Sequence, residues 1–155
     1  MIEINNTTKQ KINSAKIKRL VGAFLNVYKK PAFEVSIAII GASRMQKLNN
    51  NYRGINKPTD VLSFGGEEEI GGRKKNSMQK KMSAQKYLGE VIINIEEVKK
   101  ASKYLEVFGI KKSADYIFYF LLVHGLLHLV GYNDEKEAER LKMLSLGEGF
   151  LEEWL

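Results

Sequence analysis

A chain of 155 residues with 44% hydrophobic and 28% charged side chains suits one soluble domain built around a single core. It contains no cysteine, which excludes a disulfide framework and a thiolate metal site and is compatible with a reducing, cytoplasmic setting. A net charge of +7 favours a polyanionic partner, because lysine and arginine bind phosphate strongly and without sequence preference.

Met1-Ile2-Glu3-Ile4 runs into Asn5, Asn6, Thr7 and Thr8 with no apolar region, so no export signal is expected and residues 1–6 read as an edge strand. From Gln10 to Lys30, apolar side chains recur at helical spacing until Pro31 stops the helix. Phe33 to Ile40 is rich in β-branched residues and predicts a strand. Ser43 is a candidate cap for a helix over Arg44 to Tyr52, with Gly54 just past its end. Val61 to Phe64 predicts a third strand, and the polar, glycine-bearing stretch from Gly65 to Lys86 a mobile surface loop. Tyr87 to Asn94 predicts a fourth strand, with Asn94 capping a helix from Ile95 to about Val107.

Tyr116 to Val130 reads YIFYFLLVHGLLHLV, without a formally charged side chain. Crossing a bilayer takes roughly 20 apolar residues, and this run is shorter and holds two histidines, so it predicts a buried central helix. Ser113 can cap it and Gly131 ends it. A last helix is expected from about Glu135 towards the C-terminus. The fold class that follows is α+β: a small mixed sheet of about four strands, surrounding helices and one buried helix, in a single domain over 1–155.

That buried helix carries the only histidines of the chain, His124 and His128. Residues four apart share a helix face, so two such imidazoles can converge on one metal ion. Hydrogen-bonded structural histidines are the competing reading, since a buried polar group without a partner costs about 1–3 kcal/mol. A turn at Gly131 could return a third ligand from residues 132–135, where Asp134 and Glu135 are the oxygen donors. The motif is not that of a zinc peptidase, because Gly125 stands where H-E-x-x-H has its general base.

The run His124-Gly125-Leu126-Leu127-His128-Leu129-Val130-Gly131-Tyr132-Asn133-Asp134 resembles the H-G-x-L-H-L-x-G-Y-D-H signature of the YbeY endoribonuclease family. Leu48 to Phe64, LNNNYRGINKPTDVLSF, resembles that family's arginine loop running into T-D-V-L-S-F, and Leu88 to Ile93 its L-G-D-I-x-I strand. The three blocks agree in order and spacing, and the resemblance extends over nearly the whole chain. The resemblance implies a metal-dependent, single-strand-specific endoribonuclease that matures small-subunit ribosomal RNA and serves ribosome quality control.

The departures are Asp134 at the position of the third histidine ligand, Asn133 in place of the aspartate before it, and Glu90 in place of the strand aspartate. Aspartate is a competent zinc ligand, so two histidines and one carboxylate with an open position remain a workable set. A carboxylate lowers the net charge of the site and admits harder divalent ions. The resemblance assigns His124, His128 and Asp134 to one zinc ion, and Arg53 to the transition-state charge alongside the two histidines. Arg44, Lys57 and Tyr132 are candidate substrate contacts, the tyrosine by stacking on an unpaired base or, alternatively, by packing in the core. Asp60 either orients a ligand imidazole or caps the turn before its strand. Glu90 faces either the cleft or solvent. The expected partners are ribosomal RNA and the small ribosomal subunit. The alternatives are a ribosome-associated RNA-binding factor with a vestigial metal site, and a metal hydrolase of peptides or small phosphate esters.

Overall fold

The structure is a computed structural model that describes residues 1–66 and 86–155. The loop expected over 65–86 therefore lies outside the described residues except at its ends. Four strands form one mixed sheet: β1 (Ile2–Asn6), β2 (Glu34–Ile40), β3 (Val61–Gly65) and β4 (Tyr87–Asn94), in the spatial order β1-β2-β4-β3. β1 and β4 run parallel to β2, and β3 lies antiparallel on β4 with Ser63 opposite Val91.

The helices are α1 (Ser14–Val27), α2 (Ala42–Arg53), α3 (Ile95–Val98), α4 (Leu105–Phe108), α5 (Ala114–Leu129) and α6 (Glu137–Trp154), with a 3-10 turn over Ala101–Tyr104. Alternation along the strands sends Val35, Ile37, Ile39, Val91 and Ile93 to the face covered by α1 and α5, the larger core. Ile40, Leu62, Phe64 and Ile92 point the other way, onto Met45 of α2, with Leu48 and Tyr52 packed at the margin. Burial on both faces explains why β4 reads as a nearly unbroken apolar run.

α5 is the central helix that its composition demands, with Ile117 to Val123 and Gly125 to Leu127 all buried. Ser113 caps it by accepting the Tyr116 N–H at 3.1 Å. Among the described residues, no helix is long and apolar enough to cross a membrane.

Three boundaries differ from expectation. α1 starts only after Asn13, whose side chain accepts the Lys16 N–H. α2 begins at Ala42, so Ser43 lies inside it and caps nothing; the Ala42 N–H instead donates to Glu96 Oε2 at 3.2 Å. The helix expected from Ile95 to about Val107 is broken into α3, the 3-10 turn and α4. The break lets the buried Glu97 carboxylate accept from both Lys100 and Lys103, at 2.9 and 2.8 Å, and turns the buried Tyr104 hydroxyl towards Asp60.

Candidate metal centre

The end of α5 builds the site. Gly131 takes φ +106°, a conformation open to glycine and strained for other residues, and the chain reverses there. The Gly131 N–H donates to the His128 carbonyl and the Tyr132 N–H to that of Leu127, both at 3.0 Å, which closes the helix as a Schellman motif does. The reversal carries Asp134 back over the last turn. Its Oδ2 lies 3.3 Å from Nε2 of His124 and 3.3 Å from Nε2 of His128. The ligand atoms of the three residues all fall within 4.8 Å of one another. Glu135, the other oxygen donor at hand in the sequence, is exposed and outside this group.

The donor chemistry fits a cation. His128 Nδ1 lies 2.9 Å from the Tyr132 carbonyl, which only accepts, so Nδ1 carries the proton. In neutral His128 the lone pair of Nε2 then faces the Asp134 carboxylate, and two acceptors meet with nothing between them. A second proton on His128 would relieve this as an ion pair with Asp134, and a divalent ion would relieve it with neither ring charged. Burial first, and the neighbouring His128 second, hold the His124 imidazole below its usual pKa, against the opposing pull of Asp134 and Asp60. A single divalent ion meets all three donors, and neutral imidazoles are what it needs. Ligand bonds of 2.0–2.1 Å in a tetrahedral zinc site set neighbouring donor atoms about 3.3 Å apart, the separation of Asp134 Oδ2 from each imidazole nitrogen.

A cavity of about 590 Å³ opens over the three ligands. Its opposite wall comes from the end of α2 and the start of β3: Arg53, Thr59, Asp60 and Ser63. Two links tie this wall to the core. The buried Asn94 side chain donates to the Thr59 carbonyl at 3.1 Å, and the Asn94 N–H to that of Asp60 at 2.8 Å. Asp60 Oδ1 accepts the Val61 N–H and Oδ2 the Tyr104 hydroxyl, at 2.8 and 2.9 Å. Asp60 therefore caps the entry to β3, and its hydrogen bonds go to these groups and to neither imidazole. Burial first, and the Asp60 charge second, push the Tyr104 phenol well above its ordinary pKa, so it stays a donor.

Gly125 is set by contact. A Cβ there would lie 2.5 Å from Val91 Cγ1, so α5 rests on the sheet with no room for a side chain. Its carbonyl also accepts from Ser63 Oγ at 3.0 Å, a structural role for that serine. The position a peptidase gives to its glutamate is thus closed to any side chain.

Of the remaining candidates, only Arg53 lines the cavity. Arg44 and Lys57 are exposed and outside it; Arg44 lies instead within electrostatic reach of Glu90. Glu90 pairs with Phe64 and shares the α2 face of the sheet, away from the histidines. Burial pushes its carboxyl pKa up. Tyr132 packs against the main core and meets Tyr28 edge-on, ring centroids 6.2 Å apart, so its side chain is core and its carbonyl is what serves His128. Tyr104 and Asn133 carry no local signal of their roles: Tyr104 meets a partner 44 residues away, and Asn133 joins the cavity wall only through the reversal at Gly131.

The chain has relatives of known name. Endoribonuclease YbeY of Limosilactobacillus reuteri is 37% identical over 115 residues, covering 73% of this chain and 69% of that one. The protein of the same name from Petrotoga mobilis is 34% identical over 144 residues, covering 91% and 85%. A solution structure from Thermotoga maritima superposes with a TM-score of 0.56 at 22% identity, covering 99% of this chain and 91% of that one, and shares the fold. The family model described as endoribonuclease YbeY matches residues 3–155. With that match across the sheet, the α2–β3 wall and the histidine helix alike, the chain belongs to the endoribonuclease YbeY family.

Proposed function

We propose that the chain is a zinc-dependent, single-strand-specific endoribonuclease that acts in the cytoplasm on small-subunit ribosomal RNA, in its maturation and in ribosome quality control. The observation that carries the reading is the convergence of His124, His128 and Asp134 on one point of a cleft that Arg53 also lines. A bound divalent ion supplies an acidified water and a Lewis acid for a phosphoryl oxygen. The chain's own residues do the rest. The Tyr132 carbonyl fixes the His128 tautomer, so that Nε2 presents a lone pair to the ion. Asp134 contributes negative charge where a histidine would contribute none. With an ion bound, that charge would leave the ion less acidifying than in a three-histidine site and would raise the pH at which the reaction runs best. Arg53 is the cation available to a phosphoryl oxygen whose charge grows in the transition state.

Metal content and cleavage of single-stranded RNA, measured together for wild type, Asp134→Ala and Asp134→His, test this. The expected result is about one zinc per chain and cleavage by wild type, loss of both in Asp134→Ala, and retention or strengthening of metal binding in Asp134→His. A wild type that binds no metal and cuts nothing until Asp134→His restores both would instead be an RNA-binding factor with a lapsed site. The peptidase reading has no general base beside His124, because Gly125 leaves no space for one.

A further inference from the structure

The cleft continues past the metal ligands. His124, Asp60 and Asp134 also wall a second cavity of about 260 Å³, whose character is different. Its remaining lining includes Val107 of α4, Phe120 of α5, and Arg140, Leu141 and Leu144 of α6. Phe120 is buried and stacks on the His124 ring, centroids 6.1 Å apart and planes 27° from parallel, while Phe108 holds it edge-on at 4.8 Å. At the rim, Val107 and Leu141 are 44% and 59% exposed. Open aliphatic side chains beside a polar metal centre favour an apolar, flat occupant. The Tyr104 hydroxyl in this slot is already committed to Asp60.

Building on the ribonuclease reading, we propose that this slot holds the base of the nucleotide beside the scissile phosphate. The two cavities share His124 and Asp134, so a phosphate at the metal ligands lies beside the slot that Phe120 and Leu141 line. The polar arm with Arg53 takes the phosphate, and the apolar arm takes the base. Arg140, which also lines the slot, offers a positive charge to an adjoining phosphate. The slot is of a size for one ring system, which excludes a protein helix as its occupant. Apolar contact with Val107, Leu141 and Leu144 does not tell one base from another, so the slot would demand an unpaired base and tolerate any sequence. That gives single-strand preference a structural cause.

The test uses metal-loaded full-length protein and a short single-stranded RNA carrying an abasic nucleotide at each position in turn, read by equilibrium binding and by cleavage. The expected result is one position, next to the cut, where removing the base weakens binding about tenfold. Joint Val107→Ser and Leu141→Ser substitution, at exposed positions that leave the fold intact, weakens binding of the native RNA several-fold and costs the abasic RNA nothing further. Leu141→Phe retains or improves binding. If the serine variant weakens both RNAs equally, or neither, the slot does not hold a base and the exposed face serves another occupant. RNA that is cut with no abasic effect rejects the slot and leaves the ribonuclease reading standing. An abasic effect without cleavage keeps the slot and rejects the nuclease; no RNA binding at all rejects both.

Discussion

One ring nitrogen of His128 is committed to the Tyr132 carbonyl, and that bond decides what the other nitrogen can do. Much of this is local and was legible in the sequence: His124, His128, the turn at Gly131 and a carboxylate at Asp134 lie in one short run, and helical spacing alone sets two imidazoles together. Tyr132 was less legible, because its aromatic partner Tyr28 sits far away in the chain and a tyrosine beside a glycine turn reads equally as a stacking platform. Gly125 shows how a residue's absence of side chain becomes a constraint. Gly125→Ala should lose about 1–3 kcal/mol of unfolding free energy in a denaturant titration, because Val91 sits on a strand buried on both faces and has nowhere to retreat. An unchanged midpoint would show that α5 can lift from the sheet.

At the level of elements, strands β1 to β4 and helices α1, α2, α5 and α6 lie close to where the sequence places them, whereas the stretch after β4 does not. Periodicity over 95–107 sees only which residues are apolar, and the break is made by polar partners: Lys100 and Lys103 gather on Glu97, and Tyr104 reaches Asp60. The start of α2 was misread for the same reason, since its cap arrives from Glu96 across space. Glu97 also makes a pH prediction. Burial raises its pKa, but the hydrogen bonds and charge of Lys103 and Lys100 outweigh this and leave it below the ordinary 4.5. A carboxyl with a lowered folded pKa stabilises the fold above its unfolded pKa and loses that contribution as the pH falls through the folded value. Glu97→Gln should therefore cost about 1 kcal/mol at pH 7, the lysines being half exposed, and progressively less below pH 4.5. A deficit that persisted undiminished in acid would assign the effect to packing.

Across the described residues, only one of the three basic side chains Arg44, Arg53 and Lys57 reaches the cleft. Arg53 lines the cavity; Arg44 and Lys57 stand outside it. Composition reports how much charge there is, and only the fold reports where it points. Arg53→Ala should lower kcat by about 100-fold with little change in RNA affinity, while Arg44→Ala and Lys57→Ala should leave kcat unaltered. Equal losses in all three would return the basic rim to the substrate path. The ligands of the ion come from a single stretch, residues 124–134, but Arg53, Thr59 and Asp60 reach it from α2 and the edge strand β3. β3 has one strand neighbour, β4, yet it is not held by that neighbour alone: Ser63 donates to the Gly125 carbonyl of α5 and the Tyr104 hydroxyl to Asp60. Lifting β3 would also break the Ser63–Gly125 bond beside His124, so a disturbance of one wall reaches the other. One half of the cleft is thus written in a single short run and the other is assembled across the sheet, and a bond between Ser63 and Gly125 makes the two rise or fail together.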